Sequence, residues 1–305
     1  MMKERLTLKE LGITIEEIQI LRSSGYNIVS QEGRNGRQYY VLTQNENPSL
    51  FISGLSSGIQ STEWVELSDI HAGSKQFDKQ GLIDVLQRAS DLGYHNVHIS
   101  GDVCDGYMVY GKEHLITIRY LTAEEQSDEL VSVLLRFPDL KFISIFGNHD
   151  FSFVKAGGIN PVYLVEQKVR KEGGQFTFLN GYAGDIIICG VLKRMVHLLS
   201  GKVYAKSYPG QVYIRNLLDS HEENVWVKSK KYRIRFLQFG HLHSNIEFES
   251  AGIFCTHPGN FQFPNNYTIR QGLVGYQGCR FVNVSIENGK VLEYSSAFIK
   301  PRRHF

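Results

Sequence analysis

Four short polar motifs, in a fixed order and each directly after a strand-like run, constrain this chain more than any other feature. They are Asp69-Ile70-His71, Gly101-Asp102-Val103-Cys104-Asp105, Gly147-Asn148-His149-Asp150 and Gly240-His241-Leu242-His243. With each residue type near ~5% of a chain, an Asp-x-His arises by chance about once in such a length, but a given four-residue match only on the order of a few times in a thousand. The ordered series is therefore not a product of composition. The preceding runs, Trp64 to Ser68, Asn96 to Ser100, Lys141 to Phe146 and Tyr232 to Phe239, are rich in β-branched and aromatic residues. Four strands thus end in polar residues, and the strand ends of an α/β sheet are where ligands bind.

The residue types indicate divalent metal. Asp and His with one Asn carbonyl and no Cys form a mixed oxygen and nitrogen donor set, suited to borderline cations such as manganese, iron or zinc. Residues two apart on a strand face the same side, so Asp69 and His71 can reach one ion together, and His241 and His243 repeat that spacing. Alone, Asp69 or Asp102 fits a turn or a helix cap, and the glycines fit tight turns. Their conjunction favours the metal reading. Isolated histidines such as His95, His98, His114 and His257 are expected as surface or hydrogen-bonded interior residues, not ligands.

Over roughly residues 60 to 285 the motif series resembles the calcineurin-like metallophosphoesterase superfamily. The resemblance implies an α/β fold in which two mixed β-sheets pack as a sandwich flanked by helices, with metals at the sheet ends. It makes Asp69, His71 and His243 ligands of a first ion, Asp102 a carboxylate bridging two ions, and Asn148 and His241 ligands of the second. The implied cofactor is two divalent ions, manganese first, with iron, zinc or nickel as alternatives. One further histidine is required between the third and fourth motifs. His197 closes the apolar run from Val191 to Val196, interrupted by Lys193-Arg194, and reads as a strand end; His221 follows a helix-like stretch from Ile214 and suits a charged helix C-terminus. The run Val203 to Tyr208 resembles a phage-type and archaeal subgroup, which favours His197 while leaving His221 open. The implied nucleophile is metal-activated water. His149 would stabilise the transition state or protonate the leaving oxygen, Asp150 would orient its ring, and Asp105 would support the ligands from behind.

Residues 1–46 read as a separate small α+β unit and 47–305 as the catalytic domain. Leu6 to Leu11 and Ile15 to Leu21 have helical apolar spacing, and the extended runs Tyr26 to Ser30 and Gln38 to Leu42 flank Gly33-Arg34-Asn35-Gly36-Arg37, a hairpin signal. Helix, helix, hairpin resembles a winged helix-turn-helix with Arg34 and Arg37 at the wing tip, which implies nucleic-acid contact. Glu16 and Glu17 at the start of the second helix oppose phosphate, so substrate positioning or a protein contact stands beside that reading. Further on, Asp78 to Leu92 and Ala123 to Leu135 read as amphipathic helices, and the strand-rich residues 244 to 299 are expected to complete the second sheet.

A formal net charge of +2 announces no nucleic-acid partner by itself, so a basic surface must be local, as at Lys228 to Arg235 or Lys300 to His304. Cys104, Cys189, Cys255 and Cys279 lack paired spacing, and neither a signal core nor a membrane-length apolar run is evident. The expectation is a cytoplasmic protein with no membrane partner, its oligomeric state open. Three functions compete: a nuclease acting on DNA or RNA, a phosphatase or cyclic-nucleotide phosphodiesterase for a small substrate, and a non-catalytic phosphoesterase-like scaffold. The scaffold reading ranks last because the ligands are all present.

Overall fold

Strand β4 (Ile59–Leu67) alternates in exposure over its first residues, but its last four, Trp64 to Leu67, are buried on both faces. That pattern belongs to the centre of a sheet covered on both sides. The computed structural model describes residues 28–32, 38–42, 50–53, 58–179, 181–198, 208–219, 234–265, 269 and 275–302. Within them β4 pairs in parallel with β5 (Asn96–Ile99), which pairs in parallel with β6 (Lys141–Ser144), and β6 with β7 (Gln175–Phe178). On its other side β4 pairs antiparallel with β13 (Cys279–Glu287), followed by β14 (Lys290–Ile299), giving the order β14-β13-β4-β5-β6-β7.

The second sheet is also mixed. Its order is β11-β12-β10-β9-β8-β3, built from β3 (Leu50–Ser53), β8 (Ala183–Ile188), β9 (Val191–His197), β10 (Ile234–Gly240), β11 (Asn245–Ser250) and β12 (Ile253–Pro258). The expectation that residues 244 to 299 all complete this sheet is corrected: β11 and β12 do, whereas β13 and β14 extend the first sheet. Both pairs are hairpin-like runs of alternating residues, and alternation does not reveal which sheet a strand joins. Near the N-terminus, β1 (Ile28–Glu32) pairs antiparallel with β2 (Gln38–Leu42) as a two-stranded ribbon, matching the expected hairpin strands. The helices expected before it, and Arg34 and Arg37 between its strands, lie outside the described residues.

Helices cover the outer faces. Helix α1 (Lys79–Asp91) is capped by Asp78, which accepts from the Gly81 N–H; α2 (Ala123–Leu134) starts in a reciprocal Thr122/Glu125 capping box; α3 (Asn148–Gly157) begins inside the third motif; and α4 (Pro161–Lys171) is capped by Asn160. These four bury Leu82, Leu86, Leu130, Phe153, Val162 and Val165 in one core with Val97, Phe142 and Phe176 of the first sheet. Helix α5 (Tyr208–Asp219) packs Ile214 and Leu217 against Phe239 and Cys255 of the second. Between the sheets lie Trp64, Ile143, Ile186, Met195, Phe236 and Val282. All four cysteines are free thiols. Among the described residues, no helix is long and apolar enough to cross a membrane.

One charged group crosses the sandwich interior. Lys193 of β9 is fully buried and donates to Glu66 of β4 at 2.7 Å, and its ammonium lies 3.0 Å from His98 Nδ1 and 4.7 Å from the Trp64 ring centroid. Glu66 also accepts from Trp64 Nε1 at 2.9 Å and Thr256 Oγ1 at 2.6 Å. Burial opposes the charge on Glu66, yet Lys193 and these donors hold its carboxyl below the usual range; burial pushes the Lys193 ammonium down to about 8. The adjacent Arg194 instead forms a bidentate pair with Asp185 at 2.7 Å on both arms. Breaking a buried pair strands a charge and costs about 3–5 kcal/mol, whereas replacing both partners with apolar groups is often neutral. Lys193→Met is therefore expected to destabilise by about 3–5 kcal/mol in urea unfolding, and Lys193→Met with Glu66→Leu to recover most of that loss. A single variant as stable as the parent would show that the pair does not join the sheets.

Candidate metal centre

All four motifs emerge at one edge of the sandwich, but not on the strands themselves. β4 stops at Leu67 and β10 at Gly240, and Asp69 (φ 51°), His71 (φ 55°), Asp102 (φ 51°), His241 (φ 90°) and His243 (φ 47°) all have left-handed backbone. Only four other described non-glycine residues share that property: Met108, Cys189, Ala251 and Asn288. Such conformations cost on the order of 1–3 kcal/mol each and persist where the surroundings impose them. The backbone is held by bonds between loops, from Asp69 N to Gly101 O (3.1 Å) and from His71 N to Asp102 O (3.0 Å). The side-chain alternation expected of a strand therefore does not operate here; local turns aim these groups.

The turns gather the donors into two adjoining sets. Ligand atoms of Asp69, His71 and His243 lie within 4.8 Å of one another, as do those of Asp102, His197 and His241. In the first set His243 Nε2 is 3.6 Å from Asp69 Oδ1 and 3.1 Å from His71 Nε2. In the second, the Asn148 carbonyl oxygen is 3.0 Å from His197 Nε2 and 2.9 Å from His241 Nδ1. Asp102 Oδ2 stands between the sets, 3.9 Å from His71 Nε2 and 3.2 Å from His197 Nε2. His197 thus sits beside Asn148 and His241; His221 lies outside the described residues.

The far side of two of these rings, His197 and His71, is engaged, which fixes where the other nitrogen points. His197 Nδ1 meets the Ser100 carbonyl at 2.8 Å, and His71 Nδ1 meets Asp105 Oδ1 at 3.1 Å. Asp105 therefore stands behind His71, and its other oxygen takes His114 Nε2 at 3.2 Å. Gln262 donates to Asp105 Oδ1 at 3.1 Å, and Ser68 donates to Asp69 Oδ2 at 2.5 Å. Glycine is needed at two positions: a Cβ on Gly147 would collide with the Asp102 carboxylate, and one on Gly240 with the Ser100 carbonyl.

Asp150 takes a different place from the one expected. Its carboxylate does not orient the His149 ring; it accepts from the backbone N–H groups of Gly147 (2.8 Å), Cys104 (2.9 Å) and Val103 (3.3 Å), tying the second motif to the start of α3. The His149 ring is held by the Asp105 carbonyl, 2.5 Å from Nδ1, and Tyr110 Oη lies 2.9 Å from its Nε2. Of the two settings expected for His114, surface or hydrogen-bonded interior, the structure shows the interior one; Tyr110, Gln262 and Ser68 carry no spacing signal that would single them out.

The electrostatics describe a site made for positive charge. Burial opposes ionisation of Asp102, yet His197, His149 and His71 hold its carboxyl well below the usual range. Burial likewise opposes a charged His197, but Asp102 lifts it to about 9. Burial and the nearby His197 push His241 down to about 4, and burial with His71 pushes His243 well below its ordinary value. Burial and Asp102 together raise Asp150. In the metal-free chain the central carboxylate thus favours a charged His197, while His241 and His243 are held toward the neutral form with lone pairs available. Converging oxygen and imidazole nitrogen donors, with His71 and His243 turned nitrogen to nitrogen, fit divalent cations.

No protein-family profile matches the chain, and no curated protein matches it. Among solved structures it is similar to an archaeal phosphodiesterase at 13% identity and TM-score 0.41, covering 78% of this chain and 100% of that one. It is similar to vacuolar protein sorting 29 from Cryptosporidium parvum at 12% identity and TM-score 0.41, over 79% of this chain and 98% of that one. The zinc complex of the corresponding protein from Entamoeba histolytica aligns at 14% identity and TM-score 0.38, over 78% and 99%.

Asp102→Asn is expected to keep the fold and lose at least one of two tightly held ions, as read by metal analysis of the purified protein. His197→Ala should lose the second ion, and His221→Ala should retain both. Two ions in the His197 variant would move the third histidine elsewhere.

Proposed function

We propose that the chain is a dinuclear metal-dependent phosphoesterase of the calcineurin-like class, acting on phosphodiesters of DNA or RNA. The observation that carries the reading is Asp102 Oδ2, placed between two Asp/His sets and within 3.9 Å of a ring nitrogen in each. A single carboxylate shared in this way has its use in holding a pair of cations. Asp69, His71 and His243 would hold the first ion, Asn148, His197 and His241 the second, and Asp102 both. When bound, two divalent ions lower the pKa of an attacking water from 15.7 toward roughly 7 and neutralise the phosphate oxygens.

The chain's own groups do the rest. Asp102 Oδ1 accepts the His149 N–H at 2.8 Å at the N-terminus of α3, so the helix end stabilises the shared carboxylate and fixes the residue that carries the His149 ring. The carbonyl of Asp105 holds Nδ1, and Nε2 lies 2.9 Å from Tyr110 Oη. Burial pushes the ring down to about 4, so in the metal-free chain Nε2 is an acceptor. To protonate a leaving oxygen through Nε2, His149 must first take a second proton, which the carboxylates of Asp102 and Asp105 favour. Asp150 and Asp105 keep the loops in place. Residues 1–46 would serve as the nucleic-acid recognition unit, with Arg34 and Arg37 between β1 and β2 on phosphates; the charge of an arginine pair supports that role.

His149→Gln should retain both ions and lose roughly 10²–10⁴-fold in turnover on natural-type esters. An activated aryl diester, whose leaving group needs little protonation, should lose less. Deleting residues 1–46 should spare the aryl diester and weaken DNA binding. Arg34→Ala with Arg37→Ala should flatten the log-log salt slope by about 0.9 for each phosphate contact removed. Best activity on small monoesters or cyclic nucleotides, with no nucleic-acid binding at low salt, would replace the nuclease by a small-substrate phosphatase.

A further inference from the structure

Of the six residues in the 3-10 helix Gly111–Ile116, His114 alone is buried. A lone inward-facing residue on a short exposed helix is ordinarily apolar, because burying an unpaired polar group is costly. His114 is instead bonded through both ring nitrogens. Its carbonyl accepts from the Thr117 N–H at 3.0 Å and the Ile118 N–H at 3.1 Å, so the ring departs from a fixed backbone.

The direction of the ring's bonds is set by that backbone. The Val109 N–H can only donate, so His114 Nδ1, 3.2 Å away, accepts, and the ring proton lies on Nε2. That proton goes to Asp105 Oδ2 at 3.2 Å. Gln262 Nε2 donates to the other oxygen, Oδ1, at 3.1 Å, and is itself located by Ser74 Oγ at 3.1 Å. The buried Asp105 carboxylate thus receives a donor on each oxygen from outside the two metal sets. His71 Nδ1 meets the fixed Oδ1 at 3.1 Å, which leaves His71 Nε2 turned toward His243. Rotation of the carboxylate about its Cβ–Cγ bond would carry Oδ1 away from His71, and the His114 contact at Oδ2 opposes that rotation.

We propose that His114 is a positioning residue for the first metal set, holding Asp105 so that His71 presents Nε2 to the ion. The inference rests on the reading of Asp69, His71 and His243 as that set. The second set does not depend on His114, since His197 is held there by the Ser100 carbonyl at 2.8 Å. The two ions are therefore supported unequally: loss of the His114 donor weakens the first and spares the second.

Two substitutions at this position divide the contacts of the ring. The amide of His114→Asn takes the place of Nδ1 and still accepts from Val109 but falls short of Asp105. The amide of His114→Gln takes the place of Nε2 and donates to Asp105 but leaves Val109. The probe is manganese(II) alone, titrated calorimetrically into the metal-free full chain in two backgrounds: His241→Ala, which keeps the first set, and His243→Ala, which keeps the second. In the His241→Ala background His114→Asn should bind manganese about 10–100-fold more weakly, the usual effect of removing a group that orients a metal-ligating histidine, and His114→Gln should match the background. In the His243→Ala background neither should change the affinity. Weaker binding in His114→Gln with none in His114→Asn would overturn the proposal and assign the ring to the turn at Val109. Equal losses for His114→Asn in both backgrounds would overturn it as well, marking a general loosening of the fold. The glutamine arm is decisive by itself if the asparagine variant fails to fold, because lost affinity there has no place in the proposal. Parent protein that binds two ions, with His114→Asn unaffected in either background, would remove the positioning role alone. Parent protein that binds a single ion, weakened by His114→Asn, would keep that role and remove the dinuclear reading, and a parent that binds none would remove both.

Discussion

A buried carboxylate in search of cations organises this molecule. Asp102 lies beneath Gly147, at the first turn of a helix, with His71, His197 and His241 gathered around it from two loops and the end of β9. An isolated ionised carboxylate in such a place would be very costly, so each neighbouring element has a charge-related task. The helix end contributes the His149 N–H, Asp102 favours the protonated form of His197, and the loops carrying His71 and His241 bring further imidazole nitrogens to the same place. The paths of β4, β5, β6 and β10 follow from the need to deliver four loops to one point. The Glu66–Lys193 pair lies further inside, where it joins the two sheets from which those loops depart.

Placement of the motifs was legible in the sequence because it depends on local signals. Runs of β-branched residues end at Leu67, Ile99, Ser144 and Gly240, and the polar motifs follow within a few residues of each. His197 was legible as a strand end for the same reason. Helices α1 and α2 were legible through the amphipathic spacing of Asp78 to Leu92 and Ala123 to Leu135.

What escaped depends on geometry that residue identity does not encode. Strand alternation suggested that Asp69 and His71 share a face, and they do converge, but through left-handed turns beyond the strand. His241 and His243 have the same spacing but fall in different sets, a division implied by the family resemblance and not by strand alternation. Asp150 is adjacent to His149 in sequence, yet on the first turn of a helix neighbouring side chains point apart, so it serves the backbone of the second motif instead. Lys193 and Arg194 looked like one basic interruption of an apolar run; one points into the sandwich and the other pairs across the sheet with Asp185. The allocation of β13 and β14 to the first sheet is a long-range choice. Tyr110 was invisible because its contact with His149 arises from the turn that carries it.

The left-handed backbone at the site has a consequence for the history of such a chain. At these five positions glycine or asparagine would relieve strain, so a lineage freed from its chemistry could gain stability by drifting toward them. Natural proteins retain such locally unfavourable choices when activity requires them. At Asp69, His71, Asp102, His241 and His243 the ease of the backbone therefore favours one set of residue types, and the gathering of carboxylate and imidazole donors requires another.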